Sequence, residues 1–138
     1  MKKSIQYLDN IIRAVSENIY YKKNKLFDKT DRICEYVSEE LQKLVVFFKE
    51  INDEKLQQQF MELMKKNDVY GGEFLKIVCK IKEYILSKYK TDASLYCGKN
   101  LDLLFKTDKK LYEYVIDSRL SCSSEERKYQ IDWNRIFD

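Results

Sequence analysis

No proline interrupts the 138-residue chain, and glycine occurs only three times. Sandwiches and barrels reverse direction every few residues, and their turns draw heavily on both residue types. A chain so poor in them is expected to form helices joined by short polar connections. Hydrophobic residues make up 44% and charged residues 36%. That apolar share is too high for a disordered chain, and the surplus charge is what the outer faces of amphipathic helices supply. The expected fold class is all-α, a compact bundle of five to six short amphipathic helices forming a single domain over residues 1–138. A bundle of this size buries roughly two thirds of the surface its unfolded chain exposes, so it needs neither disulfide nor metal to hold a core.

Spacing along the chain places the helices. Ile5, Leu8, Ile12, Val15 and Ile19 recur every three or four residues after Ser4, a candidate N-cap. The basic run from Tyr20 to Lys25 suits the negative end of that helix dipole. Asp28 or Thr30 is expected to cap a second helix, whose seam is Ile33, Val37, Leu41, Leu44 and Phe48, thickened by Val45 and Phe47. It is the most apolar face so far and is expected near the centre of the fold. Asn52-Asp53-Glu54 opens a third helix, with Leu56, Phe60, Leu63 and Met64 inward. Asn67-Asp68 and Gly71-Gly72 break it. A fourth helix buries Phe74, Leu75, Val78, Ile81, Ile85 and Tyr89 and turns Lys76, Lys80 and Glu83 outward. Cys97 to Asn100 reads as a turn. A fifth segment runs from Leu101 to Leu120, with a restart at Thr107-Asp108. Ser123 and Glu126 form a capping box for a last helix with Tyr129, Trp133, Ile136 and Phe137 on one stripe.

Familiar catalytic chemistry is missing. Histidine is absent, which removes the commonest general base, the Ser-His and Cys-His pairs and most zinc sites. Cys34, Cys79, Cys97 and Cys122 are scattered with no close pair. Cys34 and Cys79 read as small hydrophobes on helix faces, and Cys97 and Cys122 as more exposed. Gly71-Gly72 lacks the further glycines and the Lys-Ser/Thr pair of a phosphate loop, so it reads as a helix break. Glu39-Glu40 reads as a solvated face, and Glu125-Glu126 as a solvated face and cap. The expectation is a protein that is not an enzyme and takes no cofactor or metal. No run approaches the roughly 20 apolar residues of a membrane span. The basic start Met1-Lys2-Lys3 is followed by Asp9, Asn10, Arg13 and Glu17, which spoil a signal peptide. Scattered cysteines and the absence of a glycosylation sequon point to a soluble protein of the reducing cytoplasm, with no membrane insertion.

Two features stand out as binding chemistry. Lysine alternates with tyrosine at Tyr20, Tyr21, Lys22 and Lys23, and again at Lys80 and Tyr84. The second is the segment from Phe60 to Ile85, where Asp68-Val69-Tyr70-Gly71-Gly72 separates two apolar helices. This segment resembles the Bcl-type apoptosis-regulator family, in which an acidic turn and an Asn-Trp-Gly-Arg element open a buried central helix. Gly72 stands at the family's glycine, but Tyr70 is one place out of register with its tryptophan. Glu73 replaces the arginine that pairs with the bound helix. The resemblance implies a groove that receives a partner helix, with the charge of its anchoring pair inverted.

The leading expectation is a non-catalytic, protein-binding bundle. It would act as a small inhibitor or adaptor, of the viral or phage kind, by occluding or bridging a macromolecular partner. Candidate contacts are Tyr20, Tyr21, Lys22, Lys23, Tyr70, Gly71, Gly72, Lys76, Lys80, Tyr84 and Trp133. The alternative is a small nucleic-acid-binding subunit of a ribonucleoprotein, and the Bcl-type reading comes third. Because structural zinc supplies much of a small metal domain's folding energy, a chelator is expected to leave the thermal midpoint unchanged. Calorimetry with and without chelator checks this.

Overall fold

The computed structural model describes residues 1–65, 71–90 and 101–118. Among them there is no strand, and the helices follow in the order α1 (Lys2–Lys23), α2 (Phe27–Glu50), α3 (Glu54–Met64), α4 (Gly72–Tyr89), α5 (Asp102–Thr107) and α6 (Lys109–Ser118). The all-α class is as expected. Residues 66–70, the turn at Cys97, Cys122 and the last helix with Trp133 lie outside the described residues.

α1 is the hub. Its stripe of Ile5, Leu8, Ile12 and Val15 is buried as the spacing requires, but Ile11, Ala14, Ser16 and Asn18 are buried too. One helix buries so much of its circumference because it packs against α2, α4 and α5. The second helix, expected at the centre, packs chiefly against α1 and α3. A strong apolar seam shows that a face is covered. It does not show how many neighbours cover the helix.

Two expected caps are replaced. Ser4 lies inside α1, buried, and its Oγ donates to the Met1 carbonyl at 2.7 Å. Leu26 stands at the N-cap of α2, and Thr30 Oγ1 donates back to the Leu26 carbonyl at 3.3 Å. Asp28 sits within the first turn, where its charge suits the helix dipole. Asp53 does cap α3, its Oδ1 accepting from the Leu56 N–H at 3.1 Å. The restart at Thr107-Asp108 is also observed, with Asp108 Oδ1 accepting from the Leu111 N–H at 3.1 Å.

α1 and α2 form an antiparallel hairpin that reverses at Lys25, a left-handed residue with φ 59°. Cross-helix partners mirror each other about that residue. Lys29 lies over the Tyr21 ring at 5.1 Å, Asn10 Nδ2 donates to Glu40 at 3.4 Å, and Lys43 lies over Tyr7 at 5.6 Å. α3 folds back on α2 through Phe48 and Phe60, whose rings stack at 5.6 Å. α4 crosses α1 and also packs on α6. At its start, a Cβ on Gly72 would lie 3.4 Å from the Leu111 side chain, so glycine lets α6 approach closely.

The cross-over of α4 on α1 contains a buried ion pair that the sequence pattern does not announce. Lys82 Nζ donates to Asp9 Oδ1 at 2.7 Å, and the two side chains are 1% and 3% exposed. Each charge offsets the other's desolvation, and removing one partner leaves the second buried without its counter-charge. Lys82→Met is therefore expected to destabilise the fold by about 3–5 kcal/mol, and the double variant Asp9→Leu/Lys82→Met to recover most of that loss. Urea unfolding of the three proteins checks both values.

Candidate functional site

α3 and α4 face each other without packing tightly, because each is held by other neighbours. α3 rests on α2, and α4 rests on α1 and α6. The space left is a groove of about 350 Å³. From α3 come Lys55, Gln59, Glu62 and Leu63, and from α4 come Ile77, Lys80, Ile81 and Tyr84. Helical spacing of three and four residues puts each set on one flank of its helix. Leu63 and Ile81 are buried and Ile77 is half-buried, so the groove has an apolar floor.

Its lip carries an aromatic ring, two lysines and one carboxylate, from Tyr84, Lys55, Lys80 and Glu62. Tyr84 is 38% exposed, with Lys55 Nζ 5.3 Å and Lys88 Nζ 5.8 Å from its ring centroid. The ring is thus held between a lysine of α3 and one of α4, an arrangement the ring quadrupole favours. Gln59 also lines the groove, and its Oε1 is buried with no hydrogen-bond partner among the described residues. Such an atom is costly to leave unmatched.

One end of the groove is fixed by Asp53. Besides capping α3, its carboxylate accepts from Lys88 Nζ at 2.7 Å and from the Tyr89 hydroxyl. Burial pushes the Asp53 carboxyl up, but hydrogen bonds from Lys88, Tyr89 and the Leu56 N–H outweigh it and hold the group below its ordinary value. The same contact raises the Lys88 ammonium, chiefly through its hydrogen bond to Asp53. Burial raises the Tyr89 hydroxyl, and its bond to Asp53 adds to the effect. One side chain therefore ties the start of α3 to the end of α4.

The sequence-derived candidates divide between surfaces. Lys80 and Tyr84 line the groove. Lys76 turns instead towards α6, its Nζ 5.6 Å from the Tyr114 ring centroid and 3.9 Å from Glu73. Gly71 and Gly72 start α4. Tyr20, Tyr21, Lys22 and Lys23 form a separate cluster at the end of α1, and Tyr70 and Trp133 lie outside the described residues. Sequence reasoning missed Lys55, Gln59, Glu62, Leu63, Ile77 and Ile81 as site residues. The spacing of Lys55, Gln59 and Glu62 was a usable signal, but nothing in it says that α4 lies opposite.

Glu40 is a correction. It was expected on a solvated face with Glu39, but it is 3% exposed and accepts from Lys43 Nζ at 2.9 Å and from Asn10. Glu39 is exposed as expected. Glu40 turns inward because it lies on the flank of α2 that meets Asn10 of α1. Cys79 is buried and Cys34 half-buried, and neither forms a disulfide among the described residues. Among the described residues no group of three potential ligands could hold a metal ion. No described helix is long and apolar enough to cross a membrane. The side chain of Glu73 is 84% exposed, so the charge that departs from the Bcl-type pattern faces solvent. Comparison with protein-family models, curated proteins and solved structures finds no match to this chain.

The Asp53 clasp gives a pH signature. A depressed carboxyl contributes stability that is fully present above its unfolded value of about 3.9 and is lost as pH falls through the folded value. Asp53→Ala, which removes the cap and both side-chain partners, is expected to cost about 2–3 kcal/mol near neutral pH. Asp53→Asn keeps a capping group but no charge. Its deficit against the unsubstituted protein should shrink as pH falls below about 4, as thermal melts across that range would show.

Proposed function

We propose that this chain is a non-catalytic helical bundle that acts as a small inhibitor or adaptor by binding a protein partner, with the α3–α4 groove as the contact surface. The observation that carries this reading is the groove's composition. An apolar floor of Leu63, Ile77 and Ile81 is bordered by Tyr84, Lys55 and Lys80. Interfaces concentrate binding energy in such settings, where an aromatic anchor beside an apolar patch is ringed by polar groups. The groove lies between two helices, which suits side chains projecting from a partner segment. Lys55 and Lys80 favour a segment with acidic residues beside its apolar ones. The sequence contains no histidine, which supports a binding role over a catalytic one. The cysteines, scattered along the sequence with no close pair, suit a reducing, cytoplasmic setting.

The nucleic-acid reading rests on Tyr20, Tyr21, Lys22 and Lys23. It is weakened by the rings themselves. Tyr20 and Tyr21 pack edge-on at 5.8 Å, and Lys29 lies over Tyr21, which leaves less ring face for a base. The Bcl-type reading requires an anchoring pair that the solvent-facing Glu73 would repel.

The test is a titration of partners captured by the purified chain. Tyr84→Ala/Lys80→Glu should weaken binding more than about tenfold, or about 1.4 kcal/mol, with the helical signal intact. Glu39→Gln, on the exposed face of α2, should leave it unchanged. Added salt should weaken apolar docking far less than phosphate binding. Unchanged affinity in the Tyr84/Lys80 variant would remove the groove from consideration.

A further inference from the structure

The corner between α1 and α2 is a second surface, distinct from the groove. Its tip carries Phe27, 62% exposed, beside Leu26 at 39%, and Phe27 is the most exposed large apolar side chain among the described residues. Around it, between residues 22 and 32, five cations (Lys22, Lys23, Lys25, Lys29 and Arg32) stand against two aspartates. The resulting net charge of +3 equals that of the whole chain. All five cations are exposed.

The backbone beneath is fixed. The Leu26 N–H donates to the Tyr21 carbonyl at 2.8 Å, the Lys25 N–H to Lys22 at 3.1 Å, and Asn24 Nδ2 to the Tyr20 carbonyl at 2.9 Å. Leu26 and Phe27 therefore stand on a rigid tip, and little ordering cost attaches to their use.

We propose that this corner docks the protein on an anionic lipid surface. Phe27 and Leu26 enter the boundary between headgroups and acyl chains, and the surrounding lysines meet the negative headgroups. Apolar side chains ringed by basic residues are the chemistry of reversible interfacial binding. A single strand of nucleic acid fits less well. It needs successive ring faces for its bases along a basic groove, whereas Phe27 stands here beside the aliphatic Leu26 and the concavity next to it is lined by Asp31, Glu35 and Glu39 as well as Lys22. Charge also orients the docking. Asp31, Glu35 and Glu39 recur every four residues along α2, all exposed, and form an acidic stripe that starts at the tip beside Lys22 and runs away from it. An anionic surface repels that stripe, so α2 stands away from the membrane. α2 has 24 residues, about 36 Å at 1.5 Å per residue, and the Asp53 clasp that closes the groove lies beyond its far end.

The experiment is sedimentation of the purified chain with phosphatidylcholine vesicles, with and without phosphatidylserine, at low and moderate salt. Binding is expected only to vesicles containing phosphatidylserine, and salt should weaken it. Phe27→Asp should reduce it at least about tenfold, and Phe27→Leu should retain it. Lys22→Glu/Lys23→Glu, at two exposed positions, should also reduce it and serves if Phe27→Asp loses its helical signal. Tyr84→Ala/Lys80→Glu should leave it unchanged, which separates this corner from the groove. Absence of binding, equal binding to neutral vesicles, or equal binding by the Phe27 and lysine variants would overturn the proposal. A fluorescent single-stranded oligonucleotide runs in parallel. If it binds and loses affinity in the same variants while vesicles do not bind, the corner is a nucleic-acid surface and the lipid proposal fails.

Discussion

The structure depends on how completely α1 is enclosed. Three helices lie against it, and at the crossing with α4 the enclosure is tight enough to bury Lys82 and Asp9 together. In so dry a setting, neither charge has water to turn to. The pair therefore fixes the position at which α4 crosses α1, because sliding α4 by one turn would separate them. Everything that α4 carries follows from this register, including the Tyr84 lip, the Lys88 and Tyr89 ends of the clasp, and the face on which α6 rests.

Asp53 works at the opposite edge of the same arrangement. It caps α3 and holds the end of α4 with one carboxylate. α3 otherwise rests on α2, and α4 on α1 and α6. Two helices that are tied at one end but supported by different neighbours cannot close on each other along their whole length. The groove is the geometric consequence. Its apolar floor stays partly open because no described helix is placed to cover it.

The α1–α2 hairpin separates charge along its length. Basic residues gather at the tip around Phe27, while Asp31, Glu35 and Glu39 run along α2. The reversal at Lys25 uses a non-glycine residue at positive φ, a conformation that costs energy unless the surrounding bonds enforce it. Here four hydrogen bonds within residues 20–26 do so. The groove and the tip thus have different origins, one in helices that fail to meet and the other in a turn that is tightly made.

The helical class, the buried stripes of α1 to α4, the Asp53 cap and the restart at Asp108 were all legible in the sequence. Each is set by local physics, either spacing at the helical period or a side chain reaching a backbone N–H three residues on. Ser4 and Thr30 have the sequence context of caps but donate to carbonyls instead, for a related reason. A hydroxyl near a helix start can accept from an amide or donate to a carbonyl, and spacing does not distinguish them. The sequence alone could not show that α1 is the hub, that Glu40 and Lys82 point inward, or that Lys55 and Tyr84 meet across a groove. Charged residues on helix flanks look alike until a neighbouring helix supplies a partner. Only the tertiary packing supplies it, through contacts between residues as far apart in the chain as Asp9 and Lys82.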